Sequence, residues 1–330
     1  MTGDDSRYLE ALSSVEDATA LLSAAWRTGH LPTLLGPPRV SAVRELRRHV
    51  GSRRTLRLTL AGGDAGERPL IAKLYARADA AAAAAAMLTA LARCGFAGPS
   101  GFRAPTVTAI LPQWRLLLCE LAPGTPVKAC MRGAAPGSAL AAEAAAHWLA
   151  AFDAAPLMAP SIYALHDPLA RAARWCSRLA HTVPSLAASA RSVSAALMST
   201  RPPWPPSTAR MIHGDFVSEH VLVAPDVVDV VTVIDWDSCR PGDPAEDAGR
   251  FVASLHGLRA RGRVDAATVS GAAERFVATY AAEQPGNAPR VPFYAALACL
   301  RKASRAQRDD MPQRARAANL LAAAEALLVS

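Results

Sequence analysis

The chain is nearly without lysine: of its 36 basic residues, Lys73, Lys128 and Lys302 are the lysines and the rest are arginine. Aromatic residues make up 5%. With arginines widely spread and few rings on which bases could stack, the net charge of +8 does not mark a nucleic-acid binder, and none is expected as a partner. Long apolar runs are absent too. The longest uncharged one, Ala80 to Ala92, falls short of the ~20 residues a membrane helix needs, so no membrane partner is expected. The opening Met1-Thr2-Gly3-Asp4-Asp5 lacks the basic and apolar segments of a secretory signal. The six cysteines include no Cys-x-x-Cys pair, which speaks against a zinc cage or a disulfide framework and suits a reducing cytoplasm.

What is present is enough to fold. Hydrophobic residues reach 51% of 330, about two domains' worth of chain or one two-lobed unit. Helical spacing runs from Val15 to Trp26. Thr55 to Leu60 alternates as a half-buried strand, Ala61 to Gly66 supplies a glycine-rich turn, and Leu70 to Tyr75 returns as the second arm of a hairpin carrying Lys73. A helix over Ala78 to Arg93 and extended pieces at Thr106 to Leu111 and Arg115 to Leu121 complete a small lobe, residues 1–121. Ala122-Pro123-Gly124-Thr125-Pro126 reads as a linker. Residues 122–330 are mostly helical, with helices expected over Ser138–Asp153, Pro168–Thr182, Ser185–Ser199, Pro244–Gly262, Ala266–Glu283 and from Phe293 to the C-terminus. The prolines between Pro202 and Pro206 favour an extended polyproline segment.

One β interruption breaks the helical pattern. Val221 to Ala224 and Val230 to Ile234 flank a Pro225-Asp226 turn signal, and an antiparallel hairpin keeps a constant index sum across its pairs. Centring the turn near residues 227 and 228 sets His220 roughly opposite Asp235, and a short loop returns Asp215 to the same end. Asp215, His220, Asp235 and Asp237 therefore form one candidate cluster. Several acids at the end of apolar strands repel one another and lose hydration unless a cation compensates, so the cluster reads as a metal site.

These residues resemble the aminoglycoside phosphotransferase and choline kinase-like branch of the protein-kinase fold. The likeness rests on His213-Gly214-Asp215, on Ile234-Asp235-Trp236-Asp237, and on Gly242-Asp243-Pro244-Ala245-Glu246-Asp247. It implies a bilobal α+β fold with a small β-rich N-lobe and a larger helical C-lobe. It also implies transfer of the γ-phosphoryl group of ATP to a hydroxyl of a small molecule, with Mg²⁺ or Mn²⁺ as the cofactor ion. Asp215 would be the catalytic carboxylate, Asp235 the main metal ligand, and His220 and Asp237 further ligands. Lys73, Gly51, Ser52, Arg54, Glu120 and Leu121 would contact the nucleotide, and Asp247 would brace the catalytic loop.

Three departures accompany the likeness. His220 stands where the family has asparagine, and Mg²⁺ prefers oxygen to nitrogen. Between Lys73 and Glu120 the one acid is Asp79, so no helix glutamate is available to hold the lysine. The phosphate loop is Arg48 to Arg54, with one glycine. His220 and the absent helix glutamate keep open a second reading, a catalytically degenerate kinase-like module that binds a nucleotide or a partner. From Ala248 to Ser330 twelve Arg or Lys face six Asp or Glu, which favours a neutral or anionic acceptor over a polycationic one. Oligomeric state is not legible.

Overall fold

The computed structural model describes residues 6–31, 36–61, 66–98, 101–133, 137–157, 168–200, 202, 210–224 and 230–329. The expected turn at Pro225-Asp226, most of the Ala61–Gly66 turn and all of the Pro202–Pro206 segment but Pro202 lie outside the described residues. The chain divides into two compact units, 1–99 with 103–123 and 100–102 with 124–330.

The first unit comprises α1 (Ser6–Leu9), α2 (Val15–Arg27), β1 (Val40–His49), β2 (Arg53–Leu60), β3 (Arg68–Tyr75), α3 (Ala78–Arg93), part of β4 (Phe102–Arg103), β5 (Val107–Leu111) and β6 (Leu116–Glu120). Its antiparallel sheet runs β1-β2-β3-β6-β5. Alternation along β2 buries Leu56, Leu58 and Leu60, which join Leu70, Ala72 and Leu74 of β3 and Leu21 and Leu22 of α2 in one core. Ser14 starts α2 by accepting from the Asp17 N–H, and the apolar stripe of that helix then faces the sheet. β1 is an exposed edge strand whose residues are mostly polar, so it carries no alternation by which a sequence reading could find it.

The second unit comprises β7 (Thr125–Pro126), α4 (Val127–Cys130), α5 (Gly137–Ala154), α6 (Pro168–Thr182), α7 (Ala187–Ser199), β8 (Arg210–Ile212), β9 (Val221–Val223), β10 (Val231–Val233), β11 (Arg240–Gly242), α8 (Ala245–Arg259), α9 (Ala266–Glu283), α10 (Val291–Ala303) and α11 (Met311–Val329). β9 and β10 pair antiparallel as expected, with Val231 opposite Val223, so the register sets Ile234 against His220, one residue from the anticipated pairing. The expected continuous C-terminal helix is instead two. Ser304 ends α10, and the run through Asp309, Asp310 and Pro312 starts α11, with Asp310 Oδ1 accepting from the Gln313 N–H. α8 lies against α10 so closely that a methyl group at Gly249 would collide with the Ala295 backbone.

Candidate active site

The site grows from the loop between β8 and β9, residues 213–220. Gly214 has φ +74°, and a Cβ there would overlap the Ser238 carbonyl and the Arg240 guanidinium, so glycine alone fits. The N–H groups of His213 and Gly214 donate to Asp247 of α8 at 2.5 and 2.9 Å. Burial pushes the Asp247 carboxyl up to about 6. The Ser218 N–H donates to Ser254 Oγ, also on α8, at 2.9 Å. Lys128 of α4 pairs with Glu219, and its backbone N–H donates to the Ser218 carbonyl at 2.8 Å. Two helices, α8 and α4, thus fix the loop.

His213 is fully buried. Its Nε2–H donates to the Ile234 carbonyl at 3.0 Å, and its Nδ1 accepts from the Asp215 N–H at 3.2 Å. Those partners fix one tautomer. Burial, aided by the neighbouring His220, drives its pKa down to about 3, so it is a neutral strut and not a proton carrier. Trp236 packs edge-on against it at 4.6 Å and donates its Nε1–H to the Val233 carbonyl.

Asp215, His220 and Asp235 meet here, each with a ligating atom within 4.8 Å of the others. His220 Nδ1–H donates to the Asp215 carbonyl at 2.9 Å, which leaves the Nε2 lone pair turned toward Asp235 Oδ2, 3.6 Å away. Asp235 has φ +69°, a left-handed conformation that a non-glycine residue adopts at a cost of roughly 1–3 kcal/mol and that clusters at functional positions. Two carboxylates and an imidazole with a nitrogen lone pair turned toward one of them suit a divalent cation that tolerates nitrogen. Asp237, in the 3₁₀ turn Trp236–Ser238, is not among the three residues that gather.

Sequence reading missed the cationic frame beneath Asp215. Arg250 of α8 sets its Nη1 3.9 Å from Asp215 Oδ1. Its guanidinium is held by Glu246 at 2.8 Å, and Glu246 also binds Arg240 at 2.8 Å and Arg171 at 3.2 Å. Burial opposes ionisation of Glu246, yet Arg250, Arg240 and Arg171 outweigh it and hold the carboxyl down at about 2. The one available signal was the i, i+4 spacing of Glu246 and Arg250 on a helix. Asp243, just before α8, accepts from the Ala245 N–H and is gripped by Arg290 at 2.7 and 2.9 Å.

Within the first unit, Lys73 is half-buried on β3, between Thr55 of β2 and Leu117 of β6. Gly51 occupies the β1–β2 turn at φ +70°, and the Ser52 N–H donates to the His49 carbonyl at 3.0 Å. Glu120, at the end of β6, pairs with Arg68 at 2.9 Å, and Leu121 follows it half-exposed. Arg54 departs from expectation. Its buried guanidinium donates through Nε to Glu45 and through Nη1 to Glu10, Ser13 and the Leu9 carbonyl, which ties α1 and the loop that follows it to the hairpin. Among the described residues no helix is long and apolar enough to cross a membrane.

The sequence model of the phosphotransferase enzyme family (APH) matches residues 45–285. Among solved structures, a protein from Ralstonia eutropha JMP134, provisionally described as an aminoglycoside phosphotransferase, is 15% identical with a TM-score of 0.63, covering 94% of this chain and 97% of its own. A thermostable mutant of the aminoglycoside phosphotransferase APH(4)-Ia, solved with ADP and hygromycin B, is 20% identical with a TM-score of 0.57, covering 88% and 94%. A choline/ethanolamine kinase family protein from Mesorhizobium loti is 18% identical with a TM-score of 0.54, covering 96% and 95%. At these identities the likeness is one of fold, and it is the bilobal kinase-like α+β fold. No curated protein matches.

Proposed function

Because this chain belongs to the phosphotransferase enzyme family, we propose that it moves the γ-phosphoryl group of ATP to a hydroxyl of a small molecule, neutral or anionic. The observation that carries this reading is the gathering of Asp215, His220 and Asp235 on a loop braced by Asp247, with Arg250 beneath Asp215. Phosphoryl transfer asks a protein for positioning and for neutralisation of charge more than for covalent chemistry. The acceptor oxygen forms a bond to the γ-phosphorus while the bond from that phosphorus to the β,γ-bridging oxygen breaks, releasing ADP. The hydroxyl proton passes to Asp215, which also orients the acceptor.

Asp235 and His220, with Asp237 as a further oxygen donor, would hold a divalent ion, Mg²⁺ or Mn²⁺. When bound, that ion would offset charge on the phosphates. Lys73, Gly51, Ser52, Glu120 and Leu121 are assigned to nucleotide contact, Lys73 as the cation for the phosphates. The enzyme is assigned to the cytoplasm.

The test is ADP release from ATP with either ion across a panel of hydroxyl acceptors, with Asp215→Ala as the control. Acceptor-dependent turnover that falls by roughly 10²-fold or more in the variant is expected. Turnover that survives the substitution removes Asp215 from its role.

A further inference from the structure

One face of α8 carries Arg250, Ser254 and Gly257 at spacings of four and three. Ser254 holds the Ser218 N–H and Arg250 lies beneath Asp215, so this is the face that supports the catalytic loop. A side chain at Gly257 would meet Lys302 of α10, with Cδ at 3.7 Å and Nζ at 4.0 Å, which puts the Lys302 ammonium over the same face. Arg301 precedes it. Neither cation has a carboxylate within ion-pair distance among the described residues. The acids that act on them most strongly are Asp215 on both and Glu246 on Arg301, and Glu246 already serves three arginines.

Burial, then the crowding of like charge, lowers Arg301 to about 10, with Arg250 and Arg305 as its cationic neighbours. Burial lowers Lys302 to about 8, with Arg305 and Arg261 acting in the same direction and Cys299 and Asp215 opposing. The concentration continues outward: Arg316 is lowered by burial and then by Arg261, Arg305 and Arg263. Withdrawing cations from water without a counter-charge is costly, and a bound anion removes the cost.

We infer that the hydroxyl acceptor carries an oxyanion, a phosphate, sulfate or carboxylate, which Arg301 and Lys302 receive while its hydroxyl lies at Asp215. The inference rests on the phosphotransfer reading above and names the class of substrate for that same loop. A polycationic acceptor would meet uncompensated positive charge at this place, and a neutral one would leave the pair without a partner.

The experiment uses the full chain with ATP and matched acceptors: glycerol against glycerol 3-phosphate, ribose against ribose 5-phosphate, glucose against gluconate, and kanamycin as the cation. Binding is read by titration calorimetry and transfer by ADP release. The anionic member of at least one pair is expected to bind about tenfold more tightly than its neutral partner. Arg301→Gln with Lys302→Gln should erase that preference, raising the KM of the anionic acceptor about tenfold with kcat changed less than about twofold. Arg301→Lys, which keeps the charge, should retain it. Equal binding within every pair, kanamycin as the best acceptor, or a preference that survives the double substitution would overturn the inference. ATP binding without anion preference overturns it alone. Anion binding by a chain that neither binds nor hydrolyses ATP overturns the phosphotransfer reading and the acceptor role with it.

Discussion

An imidazole at position 220 changes what the loop offers a cation. Because Nδ1–H is committed to the Asp215 carbonyl at 2.9 Å, the nitrogen facing Asp235 is the one with the lone pair. An asparagine would present an amide oxygen instead. Mg²⁺ dehydrates reluctantly and favours oxygen, whereas Mn²⁺ accepts imidazole more readily. The chain is therefore expected to bind Mn²⁺ more tightly than Mg²⁺ by about tenfold, and His220→Asn to narrow or reverse that ratio. Electron paramagnetic resonance of Mn²⁺, with Mg²⁺ as competitor, measures this without turnover. A ratio unmoved by the substitution would exclude His220 as a ligand. At this scale the likeness to a family pattern singles out Asp215, His220 and Asp235, whereas the place of Arg250 and the strained backbone of Asp235 are silent in the sequence, since neither a guanidinium reaching from a helix nor a positive φ leaves a periodic trace.

Among the elements, α8 is the base plate of the site. Asp247 and Ser254 hold the loop, and Glu246 gathers Arg171, Arg240 and Arg250. The Glu246 carboxyl sits below its ordinary value of 4.5, at about 2. A depressed acid contributes stability that is present above the unfolded pKa and lost as pH falls through the folded one. The contribution should therefore be whole above about 4.5 and gone near 2. Glu246→Gln is expected to lower the melting temperature at pH 7 and to flatten its decline between those two limits, a comparison that scanning calorimetry makes directly. A variant whose acid limb parallels the parent's would show that Glu246 carries no such coupling.

Elements whose burial leaves a repeat or an apolar run in the sequence were legible, those that leave neither were not. β2, β3, α2 and the β9–β10 hairpin announce themselves by alternation or helical spacing. β1, exposed along most of its length, and the three-residue strands β8 and β11 give no such signal. The division between α10 and α11 was signalled by Asp309, Asp310 and Pro312, but an Ala- and Leu-rich sequence on either side masked it.

Over the whole molecule the +8 charge conceals a partition that matters more than its sum. Residues 124–247, which contain the loop and the metal-ligand candidates, hold nine Arg or Lys against twelve Asp or Glu; residues 248–330 hold twelve against six. Asp215 and Asp235 gather with His220, Arg250 of α8 lies 3.9 Å from Asp215, and Lys302 of α10 stands over Gly257 of α8. A field of this kind steers an anionic solute toward Asp215 and is screened as the Debye length contracts, from about 10 Å at 0.1 M salt to about 3 Å at 1 M. The kcat/KM for an anionic acceptor should accordingly fall about three- to tenfold between 20 and 300 mM KCl, while that of its neutral counterpart changes less than about twofold. Screening acts on both acceptors' shared nucleotide chemistry alike, so the ratio of the two slopes isolates the acceptor's own charge. Parallel slopes would mean that the acceptor does not feel the basic helices, and the partition would then be a property of the surface and not of the site.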